Sequence, residues 1–590
     1  MAALLDRLVR GADPMDNPFL SAERAEATRI ALKTMTEPQQ RLEWEGKLAT
    51  ELLNAGKTEE AIQELLRLKE YMAQQGMQAG PKARHFLSRY LAIAYLRLGE
   101  QQNCIFNHSA ESCLLPIRAG GVHKLQLGSR SAIEVLKQTL KDDPSDLESR
   151  WFLNLAYMTL GEYPSEVPPE WVIPPKVFDS AYEVKRFADI AGRLGLDVDD
   201  LAGGSIVDDF DGDGDLDILA SAQRFRGQLR YFRDNGDGTF TDRTREAGLI
   251  GEIGGLNLVS TDYNNDGWVD AMVLRGGWMG KGGIYPFSLL RNNGDGTFAD
   301  VTEEAGLLRF GPTQSATWFD YDGDGWLDVY VAKESTPGTV VHPCELFHNN
   351  RDGTFTECAA ASGLAVTGLV KAVASGDYNN DGRPDVYISR MGDPNLLFRN
   401  DGPKGSASSS QCPWTFTDVS AAAGVTEPIY SFPAWFFDYD NDGWLDIFVS
   451  GYQFRGPADV LSDYLGLPYN AERPRLYHNN HDGTFGDVTR AAGLFHVVQT
   501  MGSNFGDLDN DGWLDIYLGT GDPNLGSLIP NRMFRNAEGK FFQDVTTAAG
   551  VGHLQKGHAV SFADFDGDGD QDIYEVMGGA YEGDHYRNAL

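Results

Sequence analysis

DYDNDGWLD, Asp438–Asp446, is the stretch that decides the fold. Aspartates alternate at its first, third and fifth positions, glycine stands sixth, and a fourth aspartate closes the ninth. Three carboxylates at this spacing converge on one point only if the chain turns sharply, and glycine permits that turn. The seventh residue offers its backbone carbonyl. An all-oxygen set with several charges favours Ca²⁺, because Mg²⁺ demands tighter octahedral geometry and keeps more water. An EF-hand loop begins the same way but ends on a glutamate at position 12. Here position 12 is Val449, so the loop belongs inside a β-hairpin rather than between two helices.

Working outward, the pattern D-x-[DN]-x-D-G-x-x-D recurs seven times, its starts separated by 53, 58, 57, 61, 69 and 57 residues. The expected ligand slots, positions 1, 3, 5, 7 and 9, are as follows. The first loop supplies Asp209, Asp211, Asp213, Asp215 and Asp217, and the second Asp262, Asn264, Asp266, Trp268 and Asp270. The third gives Asp320, Asp322, Asp324, Trp326 and Asp328, and the fourth Asp377, Asn379, Asp381, Arg383 and Asp385. Asp438, Asp440, Asp442, Trp444 and Asp446 form the fifth, and Asp507, Asp509, Asp511, Trp513 and Asp515 the sixth. Asp564, Asp566, Asp568, Asp570 and Asp572 complete the series. Up to seven Ca²⁺ per chain are expected, mainly structural. Trp268, Trp326, Trp444 and Trp513, all at position 7, read chiefly as shields for the ion and packing between repeats, with a stacking surface for sugars as the alternative.

A second pattern interleaves with the first, as in RNNGDGTFADVTEEAGL (Arg291–Leu307) and HNNHDGTFGDVTRAAGL (His478–Leu494). Each copy reads as a strand, a tight turn, a second strand and a small-residue exit. With the strands flanking the acidic loop, one unit is four short strands, A to D, and repetition of such units is the arithmetic of a propeller. The chain stops where strand C of the last unit belongs. FADIAGRLGL (Phe187–Leu196) matches the missing strand D, so the two ends are expected to zip a seven-bladed ring shut.

Residues before about 185 differ in kind. ATELLNAGKTEEAIQELLRLKE (Ala49–Glu70) and WFLNLAYMTLGEY (Trp151–Tyr163) carry apolar residues at helical spacing in the small–large grammar of TPR repeats. The expected organisation is therefore a helical extension over 1–40, a TPR-like domain over 41–163, a proline-rich linker over 164–185 and a propeller over 186–590.

Composition narrows the partners. Lys+Arg total 50 against 86 Asp+Glu, a net charge of −36, which argues against nucleic acid. Two charges from each of seven Ca²⁺ would bring this to −22. No run of eighteen or more uncharged apolar residues occurs, so no transmembrane segment is expected. Met1–Pro18 lacks the apolar core of a signal peptide; the sequence as written is expected to be cytoplasmic, or exported if a leader lies outside it.

Other chemistry is sparse. Cys104, His108 and Cys113 lie close together with His123 nearby, in no known zinc or redox spacing, and read chiefly as packing where the helices meet the ring. Cys344 and Cys358 flank one hairpin symmetrically and are candidates for a cross-strand disulfide in an oxidising compartment; Cys412 has no evident partner. The A–B loops and C–D turns share one end of the blades. The B–C and D–A loops share the other, where the repeats diverge most, so a protein, glycan or small-molecule ligand is expected there. His496 and His553 in D–A loops, and Arg455 in the long insertion Gly451–Pro474, are the candidate functional groups of that face. The helical domain is a candidate protein-binding surface of its own.

The seven loops and the DGTFxDVTxxAG strands resemble the FG-GAP/VCBS repeats of integrin-type propellers. Joined to N-terminal helices, they are similar to the cartilage acidic protein and UnbV-type family. The resemblance implies a calcium-stabilised recognition module. It also admits an enzyme of natural-product biosynthesis, since a distantly similar calcium propeller forms carbon–carbon bonds. That enzyme's pocket would lie at the loop end or at the helix–propeller interface near Cys104, Cys113, His108 and His123.

Overall fold

The computed structural model describes residues 1–74, 80–404, 412–453 and 455–590. Seven helices come first: α1 (Ala2–Gly11), α2 (Ser21–Leu32), α3 (Pro38–Asn54), α4 (Thr58–Gln74), α5 (Pro81–Glu100), α6 (Leu127–Asp142) and α7 (Leu147–Thr159). Proline at the first turn of α3 and α5 and the side-chain caps Glu37 and Asp146 fix the starts of α3, α5 and α7. From α2 onward each helix packs on the next in sequence. Among the described residues no helix is long and apolar enough to cross a membrane.

Six four-stranded antiparallel sheets follow, each with its strands in chain order. In the fifth, Ser431–Phe437, Asp446–Gly451, Arg475–Asn479 and Phe485–Asp487 succeed one another from the ring axis outward. Its second strand is buried on both faces, because neighbouring sheets cover it from either side. Cores therefore form between sheets: Tyr387 and Leu397 of the fourth pack with Phe436, Ile447 and Tyr477 of the fifth.

The seventh acidic loop sits in a two-stranded hairpin, Gly557–Ala563 and Asp572–Met577. This hairpin stands in the ring: Asn504 Nδ2 of the sixth sheet donates to Val560 O at 3.1 Å, and Ser205 Oγ of the first lies 2.7 Å from Ser561 Oγ. Ring order is thus as expected, but among the described residues only six of the seven expected blades are full sheets. The reason lies in the C-terminal residues. Ala589 bridges Glu575 as a third strand would, whereas Tyr586–Arg587 pairs with Asp199–Asp200, and Asp584 is bonded to α5. The N-terminal segment does meet the C-terminus, Ile190 N–H donating to Leu590 O at 2.7 Å.

The helices lie across the divergent loop face. α1 lays Leu5 against Met279 and Tyr285, and the Met1 amino group is 2.6 Å from Asp300. α7 docks on the long insertion, which forms a helix, Pro457–Tyr464; Phe454 within that insertion lies outside the described residues. Trp151 stacks on Tyr464 and donates from Nε1 to Leu528 O at 2.7 Å. Much of the face expected to receive a ligand is therefore occupied by the chain's own helices.

The disulfide differs from expectation. Cys358 bonds Cys412, joining the third sheet's exit to the segment that leads into the fourth sheet's last strand, and Cys344 is a free, buried thiol. Register explains it: Phe347 pairs with Glu357, so Cys358 falls opposite Leu346 rather than Cys344.

Candidate metal centres and the helix–propeller seam

The fifth loop shows how each acidic nonapeptide is held. Asp438 receives the amides of Asp442 and Gly443 at 3.0 and 2.8 Å, and Asp442 receives that of Trp444 at 2.9 Å. Asp446, fully buried, accepts the amides of Tyr439 and Asn479 at 3.3 and 2.8 Å. Position 4 lies in the left-handed region, so it is asparagine or glycine: Asn441 has φ 56° and Gly212 has φ 77°.

Do these loops suit a cation? Ligand oxygens of Asp320, Asp322 and Asp324 lie within 4.8 Å of one another, as do those of Asp438, Asp440 and Asp442 and of Asp209, Asp211 and Asp217. Asp211 Oδ1, Asp322 Oδ1 and Asp440 Oδ1, all at position 3, are buried and receive no donor. An orphaned carboxylate oxygen aimed into a cluster of carboxylates fits a hard cation. Burial pushes Asp217, Asp270, Asp385 and Asp515 up to about 7 and Asp446 to about 8. A divalent ion would reverse that, by favouring the charged form. The outer oxygens already have cationic partners: Arg233 pairs with Asp211 and Asp213, Arg535 with Asp509 and Asp511.

Two classes of residue at this end escaped the sequence reading. His348 Nδ1 lies 3.2 Å from Asp328 and 3.6 Å from Asp322, and His478 stands likewise beside Asp446 and Asp440. The asparagine that follows is a latch between sheets. Asn292, Asn349, Asn400, Asn479 and Asn536 each donate from Nδ2 to the position-2 carbonyl of the preceding loop, at 2.7 to 2.9 Å. The signal was present as the recurrent [RH]-N pair before each tight turn. Trp268 packs between loops as expected: a Cβ on Gly212 of the preceding loop would lie 2.7 Å from its ring.

At the other end the expected functional residues disperse. His496 Nδ1 is 2.9 Å from Asp463 on the insertion helix. Arg455 lies just before that helix, its amide donating to Asp459 at 2.7 Å while its side chain is largely exposed. His553 faces the helical domain, not the ring axis: it is buried, Leu114 bridges it, and burial lowers its pKa to about 4. His108 holds the carbonyl of Cys104 at 3.0 Å and approaches Asp189 at 3.5 Å. Cys104, Cys113 and His123 do come together, with Cys104 Sγ 2.7 Å from Cys113 Sγ and 3.6 Å from His123 Nε2.

Two cavities accompany these groups. One, about 300 Å³, runs along the last hairpin past Asp189, Tyr517, His553 and Glu575, and burial pushes Glu575 up to about 8. The other, about 240 Å³, lies on the ring axis and is lined by residues of all seven innermost strands. Above it Trp278, Phe432 and Tyr452 pack with ring centroids 5.3 to 5.5 Å apart, and Lys371 sits beneath Trp278, paired with Glu334 at 2.6 Å.

A ring of sheets that each carry an acidic nonapeptide between their first two strands defines a repeat propeller. A model described as "FG-GAP-like repeat" matches residues 209–273, 262–331, 342–388, 377–449 and 458–518, and the ring is an FG-GAP β-propeller. Cartilage acidic protein 1 of Xenopus tropicalis is 24% identical over 334 residues, covering 53% of this chain and 47% of that protein. The Homo sapiens protein of the same name is 23% identical over 353 residues, covering 56% and 48%. The chain thus spans about half the length of the curated relatives it matches. Among solved structures, "BBS1N in complex with ARL6DN, soaked with mercury" is similar over 70% of this chain and 97% of that one, at 10% identity and a TM-score of 0.39.

Proposed function

We propose that this chain is a calcium-loaded, seven-unit recognition propeller that carries its own docked helical domain. The observation that carries the reading is the set of buried, donorless oxygens at position 3 within clusters of loop carboxylates. Positions 1, 3, 5 and 9 and the position-7 carbonyl would hold each ion, and neutralising these carboxylates would be structural work. Recognition falls to the part of the divergent face that the helices leave open. There Phe310, Val340 and Val341 are exposed large hydrophobics, and such groups beside one another mark protein-binding surface. Gly311 and His342 bring their two loops together. The partner favoured is a protein. Equilibrium dialysis of chelator-stripped protein against Ca²⁺ tests the metal reading: up to seven equivalents are expected, and fewer than one would overturn it.

A second reading, a calcium-stabilised enzyme, draws on the cavity beside Glu575 and His553, whose pKa values are displaced in opposite senses. Denaturing mass spectrometry of purified protein tests it. Release of a stoichiometric small molecule that the Glu575→Gln variant fails to retain supports a pocket there; no release in either protein leaves the recognition reading standing alone.

A further inference from the structure

Cys104 lies in a five-residue π-helical turn, Gln101–Ile105, at the end of α5. Such turns are rare and tend to mark functional positions. Nine residues on, Cys113 adopts a left-handed backbone, φ 60°, unusual for a residue with a side chain. The two departures bring the sulfurs to 2.7 Å, with both side chains buried.

That separation discriminates between roles. Two thiolates on one tetrahedral zinc, each at about 2.3 Å, stand roughly 3.8 Å apart. A disulfide closes at about 2.05 Å. The observed pair lies well inside the first spacing and a short movement from the second. The same chain already holds the Cys358–Cys412 bond, so its thiols are exposed to oxidation.

We propose that Cys104 and Cys113 form a second disulfide, which fastens the helical domain's docking strand to the end of α5. The bond's place gives it that role. Cys113 O accepts the amide of Leu554 and Leu115 N–H donates to Gly552 O, both at 2.9 Å, so residues 113–115 are the strand that grips the propeller. In forming the bond, the two thiols release two protons and two electrons. The electrons reduce the disulfide of an exchange partner, a low-molecular-weight disulfide or a disulfide oxidoreductase, to two thiols. Exchange needs an accessible thiolate. The native pair is buried, and the hydrogen bond from Cys113 together with burial raises the Cys104 pKa. The bond therefore forms as the chain folds, before the seam closes.

The test uses the full chain, purified without reductant, denatured, alkylated with iodoacetamide and cut with trypsin. Both cysteines fall in one peptide, Leu98–Arg118. The expected result is an unalkylated peptide lighter by two hydrogens than its reduced form, which takes up two alkyl groups only after reduction. Cys344 alone of the five cysteines is then alkylated directly. Two alkylated cysteines in this peptide without reduction overturn the proposal. So does alkylation that needs a chelator but no reductant, which would make the pair metal ligands.

Discussion

Arg97 Nη2 lies 2.8 Å from Asp584 Oδ1, 487 positions apart in the chain, with both side chains almost fully buried. The guanidinium also pairs with Glu100 at 2.6 Å and donates to Gly583 O at 2.9 Å. Lys556 pairs with Asp584 from the last hairpin, and Gln555 donates to Glu100. Next to this network Gly56 and Gly583 meet backbone to backbone; a Cβ on Gly583 would lie 2.5 Å from Gly56 N. The C-terminal residues that would complete the seventh sheet are held here instead, against the helices.

Removing the sole partner of a buried charge costs about 3–5 kcal/mol; here Asp584 keeps Lys556 and Arg97 keeps Glu100, which sets that figure as the upper end of the expected loss. Arg97→Ala and Asp584→Ala are each expected to lower stability by up to that amount in urea unfolding. The double variant should lose less than the sum, since the two changes share one interaction. Additive losses would show that the pair is not the seam's fastening.

The asparagine latch predicts where the ring is weakest. Five joints carry it, and the two that do not flank the last hairpin: the equivalent of the latch in the first sheet is Asp234, whose carboxylate cannot donate. Asn479→Ala, which strips Tyr378 O of its donor, should cost about 1–3 kcal/mol. Asp234→Asn should restore a donor at the ring closure and raise the melting temperature, with a gain on the order of 1 kcal/mol. A lowered melting temperature for Asp234→Asn would refute the latch at that joint.

The repeats were legible because a nine-residue loop with five fixed positions survives in every unit, and strand order follows from its spacing. What was not legible depended on distant pairing. Cys358 meets Cys412 because of strand register and the neighbouring sheet, neither of which a hairpin's sequence symmetry reveals. His553 read as a functional group of an open D–A loop, but the helical domain covers it, Leu114 bridging to it. The long insertion was expected to offer Arg455 as a functional group of the divergent face, yet its helix is a platform for Trp151. Arg97 gave no signal at all, being one basic residue in an amphipathic helix.

Calcium removal is expected to weaken the ring. A ligand that binds only the folded state adds about 2.7 kcal/mol per site at a hundredfold excess over its dissociation constant. Differential scanning calorimetry in EDTA should thus show a clear fall in melting temperature against calcium-saturated protein. Asp438→Ala with Asp442→Ala should remove one equivalent of bound Ca²⁺ per chain and loosen the fifth sheet first. An unchanged melting temperature in EDTA would leave the loops as turns stabilised by their backbone amides and basic neighbours alone.

Three buried histidines are expected to contribute to the loss of stability in acid. Burial lowers the pKa of His123, His553 and His558 to about 4, against an ordinary value of 6.5. Below about pH 6.5 the unfolded chain takes up protons that the folded chain refuses until about pH 4. Stability conferred by the neutral folded-state imidazoles is therefore full above 6.5 and lost as pH falls toward 4, by roughly 1 kcal/mol per histidine per pH unit. Loop carboxylates titrate in the same window, so the histidine share must be isolated by difference. His558 Nδ1 lies 2.9 Å from Gly203 O and donates to it when neutral, a bond that asparagine, with its Nδ2 likewise on Cγ, can keep without titrating. With Ca²⁺ saturating, the margin of His558→Asn over the parent should widen in its favour from pH 7.5 to 4.5. Parallel melting-temperature curves for the two proteins across that range would show that His558 does not contribute to the loss of stability in acid.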